Sequence, residues 1–328
     1  MQSNLHVIES VLNWLQRGED VWLCSITQTW GSSPMPAGTL MAYCSNHGIV
    51  GSLSGGCIEE DLLEKMETGL LLTDEGAKSY PVELIYGDSE QQQKRFLLPC
   101  GGQLHLLVEY LKPQISVIKH FEQLSKILSQ RRLVARRISL KNGHLSIFSK
   151  GIKRGIKRIE MKAVDYIEHC MGPAYQMLLI GASEVARCVA ELAQPLDFKV
   201  FVWDHREEFI RNWRVNNVEV FTGSPEKLIN QYFKDENNAI IALAHDPRVD
   251  DFALVDALAS NAFYIGAIGS TKTCNNRNQR LHHYLEDTSQ LDKLLSPVGM
   301  DIGSKTPYEI AISILAEVVM KRSQLEKV

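Results

Sequence analysis

Residues 176–205, QMLLIGASEVARCVAELAQPLDFKVFVWDH, decide the fold. Residues 176–180 are an apolar run of strand length, and Gly181-Ala182-Ser183-Glu184-Val185-Ala186 turns the chain into a helix over residues 185–193. Residues 199–203 read as a second strand, which ends at Asp204. Strand, glycine turn, helix and strand make a βαβ unit, whose turn lies at the carboxyl end of a parallel sheet. The alternation continues with strands at 239–244 and 263–268, helices at 250–260 and from 270, and a final helix at 307–322 opened by Pro307. Such a pattern predicts a parallel sheet with helices on both faces. Residues 175–328 are therefore read as a Rossmann-like domain in an α/β protein.

Ligands in such sheets bind beyond the strand C-termini. Four segments converge there, and they supply the candidate binding residues: Gly181, Ser183 and Glu184; Asp204 and Arg206; His245, Asp246 and Arg248; Gly269, Ser270 and Lys272. Asp204 follows Gly181 by 23 residues, the place of a ribose contact. Ser183, however, occupies the position where a glycine lets a pyrophosphate approach the backbone, so the pattern supports the fold more than a nicotinamide cofactor. The last segment opens a helix, which suits a phosphate. Asp246 and Asp250 have a competing reading as helix caps.

Upstream, residues 1–112 read as a small α/β domain. A helix at 4–17 carries Leu5, Ile8, Leu12 and Leu15 on one face. Strands follow at 21–27, 39–44 and 49–53, the last two a hairpin around Asn46-His47-Gly48, then a helix at 58–69 and strands at 82–86 and 103–111. Two glycine turns flank cysteines: Ser54-Gly55-Gly56-Cys57 and Cys100-Gly101-Gly102. Backbone amides in such turns cradle anions, and a helix N-terminus lowers a thiol pKa, so Cys57 and Cys100 are read as exposed functional thiols. Cys24 and Cys188 lie in apolar elements and are read as core. Seven cysteines, without Cys-x-x-Cys, argue against a disulfide framework, and Cys44 with His47 lacks a second ligand pair for zinc.

Residues 113–174 differ from both flanks. Asn142-Gly143 between two apolar runs predicts a hairpin. Residues 126–162 hold twelve Lys or Arg and one acid, Glu160. We read this stretch as a basic hairpin and interdomain linker, either a solvated surface or a docking face for an anionic partner. The whole chain of 328 residues has net charge −4, which argues against nucleic-acid binding by bulk electrostatics. Its 45% hydrophobic content is that of a globular protein of about two domains. No apolar run approaches a membrane span, and residues 1–17 lack a signal pattern, so a cytoplasmic location is expected.

Several strings then carry a family resemblance. Gly31-Ser32-Ser33-Pro34, Gly51-Ser-Leu-Ser-Gly-Gly-Cys-Ile-Glu59 and Cys100-Gly-Gly102 resemble the N-terminal domain of the XdhC/CoxI family, accessory proteins of molybdenum hydroxylases. His245-Asp-Pro-Arg-Val-Asp-Asp251, Tyr264-Ile-Gly-Ala-Ile-Gly-Ser270, Gly299-Met-Asp-Ile-Gly-Ser304 and Thr306-Pro-Tyr-Glu-Ile-Ala-Ile-Ser-Ile-Leu-Ala-Glu317 resemble its Rossmann domain. The resemblance implies a chaperone that binds the molybdenum cofactor, here in its cytosine-dinucleotide form. It implies assistance in sulfuration with a cysteine desulfurase and delivery to the large subunit of an apo-hydroxylase of xanthine dehydrogenase or aldehyde oxidoreductase type. A cofactor cytidylyltransferase is a further partner, and a homodimer the implied assembly. Gly31, Ser32, Ser33, Ser54, Gly55, Gly56, Glu59, Gly101 and Gly102 join the binding residues, with Cys57 and Cys100 as sulfur-handling thiols. Two departures stand out: Met35 where the family commonly has arginine, and Ser183-Glu184 where it commonly has Gly-His. The role implied is a maturation factor rather than an enzyme. The alternatives are an NAD(P)-dependent oxidoreductase using Asp204, and a thiol-redox or scaffold protein without cofactor.

Overall fold

The computed structural model describes residues 4–31, 35–71, 81–87, 103–150, 152, 154–172, 175–244 and 246–325. The chain divides into two compact units, Met1–Pro173 and Ala174–Val328.

The first unit is built on a five-stranded antiparallel sheet of β1 (Val21–Trp30), β2 (Leu40–Cys44), β3 (Gly48–Gly51), β4 (Val82–Tyr86) and β5 (Gln103–Leu111), in the order β3-β2-β1-β5-β4. Successive side chains of β1 point to opposite faces, as strand geometry requires. Leu23 joins Val7, Ile8, Val11 and Leu15 of helix α1 (Asn4–Gln16), with Phe121 and Leu124 of α3 (Ile115–Ser129). Trp22, Cys24 and Ile26 face the other way, onto Ile58, Leu62 and Met66 of α2 (Cys57–Glu67). At Gly51, φ is +82° and a Cβ would lie 2.4 Å from the Leu40 carbonyl oxygen, so the hairpin admits only glycine there.

The basic stretch folds as a second sheet. Strands β6 (Val134–Ser139), β7 (Leu145–Phe148), β8 (Gly155–Met161) and β9 (Val164–Met171) pair antiparallel in the order β7-β6-β9-β8. The Asn142-Gly143 hairpin forms, with Ala135 opposite Phe148 and Ile138 opposite Leu145. Helix α3 and the pair β8–β9 were not read from the sequence, and they extend this region well beyond a hairpin. Leu107 of the first sheet packs with Ile138 and Ile167 of the second, so the segment belongs to the first unit. Part of its charge is compensated within the unit. Arg136, fully buried, makes two 2.9 Å bonds to Glu109; Arg137 and Lys157 share Glu168; Arg158 pairs with Glu83 and Asp165.

The second unit holds a six-stranded parallel sheet of β10 (Tyr175–Ile180), β11 (Phe198–Trp203), β12 (Glu219–Phe221), β13 (Asn238–Ala242), β14 (Tyr264–Ala267) and β15 (Leu294–Leu295). The order β12-β11-β10-β13-β14-β15 reverses at β10, the topological switch point of a doubly wound fold. Met177 and Leu179 bury against α4 (Glu184–Ala193) and α9 (Pro307–Leu325). Leu178 and Ile180 bury on the opposite face, against α6 (Pro225–Tyr232), α7 (Pro247–Leu258) and α8 (Thr271–Tyr284). The short α5 (Glu207–Arg211), with α6, β12 and β15, was not foreseen from the sequence. Among the described residues no helix is long and apolar enough to cross a membrane.

Candidate functional site

At the switch point the chain crosses itself closely. The amide of Gly181 donates to the Trp203 carbonyl and that of Leu243 to the Ile180 carbonyl, both at 2.7 Å. Gly181 has φ +101°, and a Cβ would stand 2.5 Å from Ala244 Cα. Glycine is therefore required by the crossing itself. Ser183 caps α4, its hydroxyl accepting the Ala186 amide at 3.2 Å. Glu184 pairs with Arg187 on the helix surface.

Asp204 lies where a ribose contact was read, but its carboxylate is already engaged. It is 1% exposed and accepts the Ala182 amide at 2.8 Å, the Arg206 amide at 2.9 Å and the Arg206 guanidinium at 2.9 and 2.8 Å. Burial pushes its carboxyl up, yet the bonds from Arg206 and Ala182 outweigh this and hold the pKa below the usual value. A ribose hydroxyl has to displace one of these bonds. Arg206 is fixed by the pair and lies over the Phe209 ring at 3.7 Å.

The turns after β13 and β14 complete the carboxyl end of the sheet. Asp246 is the cap of α7, accepting the Arg248 amide at 3.0 Å, and it also pairs with the Arg248 side chain. Asp250 is not the cap. It is fully buried, accepts the Ala244 amide at 3.1 Å and faces Arg277 of α8 at 3.4 Å. Burial raises its pKa to about 6. Arg277, itself 2% exposed, also donates to the Ile268 carbonyl at 3.0 Å and the Ser296 hydroxyl at 3.2 Å, and its Nε lies 3.4 Å from Asp251. This link between two turns of the crevice was missed in the sequence, although Asp250-Asp251 within an apolar helix signals a buried cation. Ser270 caps α8 through the Thr273 amide, and Lys272 is exposed on its first turn. His245 lies outside the described residues.

The first unit has its own anion cradle, and the chain fills it. Glu59 accepts the amides of Leu53 at 2.8 Å, Ser54 at 2.7 Å, Gly55 at 3.0 Å and Gly56 at 2.9 Å, and the hydroxyls of Ser52 and Ser54. Burial works against ionisation, but these bonds bring its pKa down to about 2. The amides of the Ser54-Gly55-Gly56 turn thus hold an internal carboxylate, which an incoming anion has to displace. Cys57 is the first residue of α2, and the structure describes only its backbone. Met35 is buried in the core beside α2. Gly31 has φ +74°. Ser32, Ser33, Cys100, Gly101 and Gly102 lie outside the described residues. The described cysteines Cys24, Cys44, Cys170, Cys188 and Cys274 are buried and form no disulfide, and no metal-ligating cluster occurs among the described residues.

Beside the Gly181 turn, a groove of about 500 Å³ separates Ser183, Glu184 and Arg187 from Phe209, Trp213 and Arg214.

Comparison with known proteins places these features. The model described as the XdhC and CoxI family matches residues 14–80, and that of the XdhC Rossmann domain matches residues 177–318. A Bacillus subtilis (strain 168) protein, named as a probable xanthine dehydrogenase subunit, is 24% identical over 341 residues, covering 98% of each chain. The Escherichia coli (strain K12) protein named molybdenum cofactor insertion chaperone PaoD is 24% identical over 328 residues, covering 98% of this chain and 89% of its own. A crystal structure described as a xanthine dehydrogenase from Bacillus halodurans has the same fold, with a TM-score of 0.74 at 21% identity over 98% of this chain and 96% of that one.

Proposed function

Because the chain belongs to the XdhC and CoxI family, we propose that it is a molybdoenzyme maturation chaperone, which binds the molybdenum cofactor and hands it to an apo-hydroxylase. The observation that carries this reading is likeness along 98% of the chain to a protein named as a molybdenum cofactor insertion chaperone. The cofactor is anionic, and the residues at the carboxyl end of the parallel sheet fit an anion at its rim. Lys272 stands on the first turn of α8, where the helix dipole favours negative charge, and Arg206 is held rigid by Asp204. Gly181, Ser183, Glu184, Asp246, Arg248, Gly269 and Ser270 shape that rim. Asp204 acts behind it, by orienting Arg206.

In the first unit Glu59 fixes the turn that leads into Cys57. With the amides of Gly55 and Gly56 committed to Glu59, a phosphate enters this turn only by displacing that carboxylate. When bound, the cofactor supplies the molybdenum centre that the client enzyme needs. The chain's own residues hold it and keep water from it.

The finer reading is a cytosine-dinucleotide cofactor, sulfurated with the help of a cysteine desulfurase, with Cys57 and Cys100 handling sulfur. In this reading Gly31, Ser32, Ser33, Gly101 and Gly102 count among the cofactor-binding residues, a cytidylyltransferase hands the cofactor on, and the chain works as a cytoplasmic homodimer. Client activation tests it. Wild-type protein raises hydroxylase activity in a cofactor-loaded transfer assay, whereas the Cys57→Ala, Cys100→Ala double variant gives unsulfurated, inactive client with normal molybdenum content. Full activation by the double variant removes the thiols from the mechanism.

A further inference from the structure

The groove between the first turn of α4 and α5 is open at the point where the usual ribose position is closed. Asp204 is 1% exposed, with its carboxylate taken up by Ala182 and Arg206. The groove, at about 500 Å³, falls in the size range of small-molecule sites. Three features define what it can hold. Phe209 is 39% exposed and already carries one flat cation, Arg206, so its wall accepts stacking. Trp213, half-buried, lines the same groove and offers a second aromatic wall.

Charge is the third feature. Arg187 is neutralised by Glu184 and Glu191. Arg214, in contrast, donates only to the carbonyls of Arg211 and Trp213, at 2.8 and 3.0 Å, and among the described residues no carboxylate lies within ion-pair distance of it. It is an uncompensated cation on the groove's rim, beside the positive end of α4. Glu208, also in the lining, offers a carboxylate to a ring amine.

We propose that this groove binds a nucleoside monophosphate moiety, with the base against Phe209 and Trp213 and the phosphate on Arg214. The Glu208 carboxylate accepts from an exocyclic amine. Bases with such an amine are therefore preferred to uracil. The proposal deepens the cofactor reading and rests on it, since it locates the nucleotide end of an anionic cofactor.

The test titrates the purified full-length chain with CMP, GMP, AMP, UMP and inorganic phosphate, by calorimetry and by tryptophan emission. An amine-bearing nucleotide saturates with Kd of about 1 mM or tighter, UMP binds several-fold more weakly, and inorganic phosphate gives no saturation in the same range. Arg214→Gln weakens binding roughly tenfold, the loss of one charge-assisted contact. Trp213→Phe weakens it several-fold and abolishes the emission change, while thermal melting shows both variants folded. No saturable nucleotide binding, equal binding of phosphate alone, or binding indifferent to both substitutions overturns the proposal. Pterin content of protein from cofactor-producing cells separates the two readings. Pterin without nucleotide binding removes the groove alone, and absence of pterin removes the cofactor reading itself.

Discussion

Glu59 takes the part that a ligand anion was expected to play. It sits three residues beyond Gly56, so its carboxylate folds back over the turn and satisfies the amides of Leu53, Ser54 and Gly55 in the loop and of Gly56 at the helix cap. Its folded pKa of about 2 lies below the ordinary 4.5, so its contribution to stability is complete above pH 4.5 and is lost as pH falls toward 2. Glu59→Gln, which keeps the shape but turns an amide NH2 toward backbone donors, is expected to cost about 2 kcal/mol or more at pH 7. The wild-type advantage should shrink in urea denaturation at pH 3, and an unchanged difference between pH 7 and pH 3 contradicts this account of the turn. The sequence shows that Ser54-Gly55-Gly56 can receive an anion. It does not show which anion, because that depends on whether a nearby carboxylate arrives first. Asp204 repeats the lesson: its position at a strand end is legible, but Arg206, two residues on, competes for it.

Helices α7 and α8 are joined by charge within an otherwise apolar interface. Arg277 spans Asp250, Asp251, the Ile268 carbonyl and Ser296, so it ties the turn after β13 to the turn after β14. Arg277→Gln leaves the buried Asp250 without its cation, while Asp251 keeps Arg280, and is expected to cost about 3 kcal/mol or more. A fall in the chemical denaturation midpoint with unchanged slope is the expected sign, and a loss below about 1 kcal/mol shows that water reaches the pair. From Gln176 onward the strands β10, β11, β13 and β14 are legible because each is a short, mainly apolar run, whereas β12, with Glu219 and Val220 exposed, and the two-residue β15 carry no such signal. The start of α7 was placed three residues late, since Asp246-Pro247 is itself the cap and first turn. Helix α3 escaped notice although Phe121, Leu124 and Leu128 follow helical spacing. Strand β8 could not be read by alternation, since both of its faces are largely exposed.

At the scale of the whole molecule, the two family matches fall one in each unit, and neither covers the second sheet of the first unit. That sheet holds most of the basic stretch. Four of its twelve cations are committed to carboxylates at Glu83, Glu109, Asp165 and Glu168, so sequence charge overstates the free positive surface. A composition count cannot anticipate this, because Glu83 and Glu109 come from strands outside the stretch. The central claim, that the chain carries the molybdenum cofactor, is tested most directly by what it carries. The protein is purified anaerobically from molybdate-supplied cells that make the cofactor, the ligand is released and oxidised, and the fluorescent pterin and CMP are quantified. Pterin near one per chain, accompanied by CMP, is the predicted result. Protein free of pterin, beside a known cofactor chaperone that retains it under the same conditions, contradicts the account.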